Sequence, residues 1–89
     1  MSTVKLNGHH RVTLDKIFAH PVSHNIEWHD VVSLLKHVGT VTEESNHRFL
    51  ITLGTETETF DPPRGDAIDE QQVVDLRRML GNAGFTPDQ

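Results

Sequence analysis

At Gly39 the spacing of apolar residues changes from a helical period to a strand period, and after Pro62-Pro63 it changes back. Strand-period runs separated only by turns pair antiparallel, so a chain with this pattern is expected to be α+β with one antiparallel sheet. Before Gly39, Trp28, Val31, Leu35 and Val38 fall at helical spacing, and Val32 and Leu34 widen the stripe. That spacing predicts a core-facing helix over 26–37, with Asn25 as N-cap, Glu27 in the first turn and Gly39 as the stop. Val41 opens a strand near 40–43, and Glu43-Glu44-Ser45-Asn46 reads as a turn. Residues 47–53 then alternate Phe49, Ile51 and Leu53 against Arg48, Leu50 and Thr52, and Gly54-Thr55 connects tightly to a third strand over 56–60.

Helical punctuation is clearest at the far end. Asp69 as N-cap and Gln72 three residues on form a capping box, and Val73, Leu76 and Leu80 make a buried stripe with Val74 and Met79 at its margins. A helix over 70–82 follows, with Gly84 at the left-handed position beyond its end and Phe85 folding back in a Schellman arrangement. The terminal TPDQ is expected to fray. Upstream, Thr13 can cap a short helix over 13–19 carrying Leu14, Ile17 and Phe18, which Pro21 ends. Residues 1–25 thus read as a helical arm and linker, and 26–86 as a single globular unit. At 89 residues the chain has room for one core.

The absence of cysteine excludes a disulfide framework, a thiolate metal site and a cysteine nucleophile. The formal charge of −5 sits in the second half: residues 1–40 hold four Lys/Arg against three Asp/Glu, and residues 41–89 four against ten. Any nucleic-acid surface there must be a local cluster working against its surroundings. No segment has the apolar run of a signal peptide or of a membrane span, so the expectation is a cytoplasmic protein without a membrane partner.

Seven histidines invite a metal reading, and His20, His24, Glu27 and His29 are the closest group. Pro21 breaks the helical register between His20 and His24, and no zinc spacing such as HExxH is present, so no metal and no cofactor is expected. His9, His10 and His37 read as surface positions. His47 differs, because it begins a strand directly after a turn and can project from a sheet edge, with Arg48, Arg64, Arg77 and Arg78 as cationic company. An imidazole beside arginines suits RNA cleavage, where a base takes the 2′-hydroxyl proton and cations stabilise the phosphorane charge. An exposed turn histidine with no role is the other reading.

From Glu27 onward the pattern resembles the HicA-type toxins of bacterial toxin–antitoxin pairs. The resemblance is carried by Val32-Ser33-Leu34-Leu35-Lys36-His37-Val38-Gly39, Ser45-Asn46-His47-Arg48-Phe49, Phe60-Asp61-Pro62-Pro63-Arg64 and Leu76-Arg77-Arg78-Met79-Leu80-Gly81-Asn82-Ala83-Gly84-Phe85. Order and spacing agree over about two thirds of the chain, although Ser45-Asn46 stands where the family has Gly-Ser. The resemblance implies an αβββα fold similar to double-stranded-RNA-binding domains, here with an N-terminal helical extension. It also implies a metal-independent mRNA interferase with His47 as catalytic histidine, RNA contacts from Arg48, Arg64, Arg77 and Arg78, and a HicB-type antitoxin as partner. The alternative is a non-catalytic interaction or regulatory module on the same fold. Convergence of the four arginines and His47 on one face favours RNA, and scattering among acidic side chains favours the module.

Overall fold

A computed structural model describes residues 8–21 and 25–87. The chain runs α1 (Gly8–Ile17), α2 (Trp28–Val38), β1 (Thr40–Glu43), β2 (Phe49–Leu53), β3 (Glu56–Phe60) and α3 (Glu70–Asn82). The sheet is antiparallel in the order β1-β2-β3, with Val41 opposite Ile51 and Phe49 opposite Phe60. The fold is therefore α+β, as the change of period requires. The first seven residues of the expected arm, His24 and the last two residues lie outside the described residues. Among the described residues no helix is long and apolar enough to cross a membrane.

Where a boundary depends on neighbouring residues, it falls where local chemistry places it. In α3 the Asp69 carboxylate accepts from the Gln72 amide N–H at 2.8 Å, and the Gln72 side chain accepts from the Asp69 N–H at 3.1 Å, closing the capping box. At the other end Gly84 adopts φ 90°, Phe85 N–H donates to Leu80 C=O at 2.8 Å and Gly84 N–H to Gly81 C=O at 3.1 Å. These are the two bonds of a Schellman motif. The β2–β3 hairpin has positive φ at Gly54 and not at Thr55, which fits a two-residue turn with glycine first. At the α2–β1 junction Gly39 is needed for space: a Cβ there would stand 2.2 Å from the Thr52 carbonyl oxygen and 2.5 Å from a Leu53 methyl.

Three expected boundaries move, two for local reasons and one for a tertiary reason. Thr13 does not cap α1; it is buried inside a helix that starts at Gly8, where its hydroxyl donates to the His9 carbonyl at 3.2 Å. A threonine that satisfies itself on the preceding turn has no need of a terminus. Asn25 is not the N-cap of α2. Glu27 holds that position without a side-chain cap bond, because Ile26 and Trp28 pair instead with the loop before α3, through Ile68 N–H to Ile26 C=O at 2.9 Å and Trp28 N–H to Asp66 C=O at 2.7 Å. His47 does not begin β2; its φ of 66° takes it out of the extended region, and the strand starts at Phe49.

The core joins all six elements. Val31, Leu35, Ile51, Leu53, Val73, Leu76 and Leu80 are buried as the periodicity predicts, whereas Trp28 and Val38 are half-buried against them and Phe49 is half-buried against Trp28. Ile26, Leu34, Phe60, Ile68 and Met79 are buried too, and α1 adds Leu14 and Ile17. Each such side chain contributes about 1.5–3 kcal/mol when fully buried, so α1 is integral to stability. Arg77 of α3 holds it in place: Nε donates to Ile17 C=O and a terminal nitrogen to Ala19 C=O, both at 2.6 Å, so a cation meets the negative end of the helix. The outer sheet face is mostly threonine, with Thr40, Thr42, Thr52, Thr57 and Thr59 around Leu50.

Two stability measurements check this. Asp69→Ala removes one capping acceptor and should cost about 1 kcal/mol, lowering the melting temperature by roughly 4–8 °C. Arg77→Met leaves the carbonyls of Ile17 and Ala19, at and just past the end of α1, without a charged donor and should cost more, about 1.5–3 kcal/mol, with Arg77→Lys only partly restoring it. An Arg77→Met variant that melts with the wild type would show that α1 is held by its apolar face alone.

Candidate functional site

The β1–β2 connection, residues 44–48, ends in a three-residue loop, 45–47, with His47 in its last position. Glu44 N–H donates to Arg48 C=O at 2.7 Å and His47 N–H to Glu44 C=O at 2.9 Å, so a tight turn is followed by one left-handed residue. Glycine usually takes that third position, since a side chain there costs about 1–2 kcal/mol. Histidine occupies it here, with its side chain 89% exposed and Nδ1 3.8 Å from a Glu43 carboxylate oxygen.

Two of the four sequence-selected arginines lie at this end of the sheet. Arg48 Nε donates to Asp61 at 2.7 Å, in an exposed pair worth at most about 1 kcal/mol. Asp61 follows the last residue of β3 and its carbonyl accepts from the Gln72 side chain at 2.6 Å, which anchors the start of the Pro62-Pro63-Arg64 loop. The other end of that loop is tied to α2 through Asp66 and Ala67, so Arg64 stands on a segment fixed at both ends. Arg64 makes no ion pair among the described residues, but the groove it lines also carries Glu58, Asp61, Asp69 and Asp75. Trp28 and Phe49 close the same end in an edge-to-face contact, ring centres 5.3 Å apart.

The other two arginines go elsewhere. Arg77 is committed to the carbonyls of α1. Arg78 faces β3, 2.6 Å from Glu58, 3.7 Å from Glu56 and 3.8 Å from Asp75, and the Glu58 hydrogen bond, ahead of its charge, raises the guanidinium pKa further. His47 and Arg48 therefore share one end of the sheet, and Arg64 sits on the loop that leaves that end, in a groove that neither of the other two lines, while Arg77 and Arg78 face α1 and β3.

His9, His10, His29 and His37 gather at the α1–α2 contact. His10, expected at the surface, is 8% exposed, with Nε2 3.0 Å from the Ser33 hydroxyl and its ring 4.9 Å from that of His37. The sequence offered no sign of this, because His10 and Ser33 meet only when the helices dock. His9 reaches Asp30 at 3.0 Å, beside His29 and Glu27. Of the group drawn from the sequence, Glu27 and His29 do meet, but with Asp30 rather than His20.

Burial, and then the neighbouring His37 and His9, lower the pKa of His10 from 6.5. The unfolded chain then takes up a proton at a higher pH than the folded one. Stability is fully present above about pH 6.5 and falls as pH drops toward the depressed folded value. His10→Gln keeps a partner for Ser33 and should flatten that slope between about pH 7 and 5, as read by urea unfolding. An unchanged slope would assign the acid sensitivity to other groups.

No family model, curated protein or solved structure matches the chain.

Proposed function

We propose that this chain is a HicA-like RNA-binding protein, the toxin of a toxin–antitoxin pair, that cleaves mRNA with His47 and without a metal. The observation that carries the reading is the placement of His47: an exposed imidazole occupies a left-handed turn position that glycine would fill at lower cost. Backbone strain kept at one exposed residue points to a use for its side chain. Arg48 and Arg64 stand at the same end of the sheet, where they would offset phosphate charge, and the element order after α1 agrees with the αβββα pattern of the resemblance. The imidazole would act as general base at the 2′-hydroxyl or as acid at the leaving oxygen. A HicB-type antitoxin is the partner this reading requires, and the cytoplasm is where both would meet mRNA.

A non-catalytic interaction module is the second reading. It is favoured by one observation, that Arg77 and Arg78 are spent on α1 and β3 in a domain of charge −5.

His47 separates the two. His47→Ala should abolish growth inhibition and RNA cleavage on induced expression with folding intact. His47→Gly should be equally inactive yet more stable by about 1 kcal/mol, since the turn is relieved. Arg64→Ala should weaken RNA binding and reduce its salt dependence, because fewer counterions are released. Folded wild type that binds no RNA at low salt and leaves growth untouched would retire the toxin reading in favour of the module.

A further inference from the structure

Docking α1 on α2 builds a cluster that no stretch of sequence contains. Two imidazoles converge on one carboxylate oxygen: His9 Nε2 lies 3.0 Å and His29 Nε2 3.1 Å from Asp30 Oδ1. The other nitrogen of His29 lies 3.3 Å from Glu27 Oε1, and ligand atoms of Glu27, His29 and Asp30 all fall within 4.8 Å of one another. Around a tetrahedral zinc ion with bonds of about 2.0–2.2 Å, ligand atoms stand roughly 3.3–3.6 Å apart. The ligand atoms of Glu27, His29 and Asp30 are spread wider than that, up to 4.8 Å, and His9 joins them through Asp30, so the side chains would have to turn and close on an entering ion.

We propose that His9, His29 and Asp30, with Glu27 beside them, bind a divalent transition-metal ion of the zinc class and thereby clamp α1 to the first turn of α2. Imidazole nitrogens with one or two carboxylates select zinc and its neighbours over magnesium and calcium, which take oxygen ligands. The positive end of the α2 dipole opposes a cation there, and the carboxylates of Glu27 and Asp30 at that same end offset it. The side chains of His9 and His29 are 60% and 78% exposed, so the site loads from solvent and does not nucleate folding. The proposal is independent of the RNA reading, which uses His47, Arg48 and Arg64 and no metal.

Isothermal titration of the tag-free, EDTA-treated full chain with zinc chloride tests it, alongside thermal melts. One ion per chain should bind with micromolar affinity and raise the melting temperature, magnesium chloride should do neither, and EDTA alone should leave the metal-free melt unchanged. His9→Gln and His29→Gln should each weaken binding by at least about tenfold, while His47→Gln should not. Asp30→Asn serves as a second variant should His9→Gln loosen α1 by itself, and circular dichroism in EDTA reports that. No stoichiometric binding, or variants of His29 and Asp30 that bind as wild type does, would overturn the site. A His9→Gln chain with full affinity and the full rise in melting temperature would overturn the clamp.

Discussion

The α1 carbonyls and the Arg77 guanidinium form the contact on which the helical half of the molecule depends. A helix end leaves carbonyl groups without partners in its own backbone. Ile17 and Ala19 present two of them to a single side chain from α3, some sixty positions away in sequence. With α1 so placed, Leu14 and Ile17 seal one side of the core, His10 is drawn out of water, and His9 reaches Asp30. In a chain with only 35% hydrophobic residues, a helix that supplies two buried side chains is a considerable share of the interior. The same guanidinium cannot also sit on a phosphate, which is why the basic stretch Arg77-Arg78 is less available than it looks when written out as letters.

What could be read from the sequence follows the range of the forces involved. The capping box, the Schellman glycine and the two-residue hairpin act within five residues, and β1, β3 and α3 lie where those signals put them. The beginning of α2 differs from the expected one because partners far along the chain, Ile68 and Asp66, hold its entry, and that of α1 differs because Thr13 spends its hydroxyl on the preceding turn inside the helix. The candidate site divides the same way. His47 and Arg48 are adjacent and Arg64 follows the strand beside them, so topology alone brings them to one end. The commitments of Arg77 and Arg78, the burial of His10 and the meeting of His9 with Asp30 are contacts between elements and leave no trace in local spacing.

At the hairpin end, stability and chemistry make opposite demands on one position. A glycine at 47 would suit the turn, and an imidazole suits proton transfer. The carboxylates around Arg48 and Arg64 add a second tension, since they hold the loop and its arginines in place while repelling any anion that approaches. A ligand here would have to exchange the Arg48 contact with Asp61 for one of its own, which is a small cost because that pair is exposed.

Gly39 and Gly81 look alike on paper, each a single glycine near the end of a helix, yet their surroundings are opposite. A methyl group at 39 would collide with the backbone of β2, whereas one at 81 would meet nothing within 4 Å. In a saturation library, position 39 would therefore admit a single letter and position 81 many. Alanine at 81 should even be an improvement, given the helical propensity it adds. The first glycine is a joint cut to the width of a bare backbone; the second is a vacancy that drift can fill.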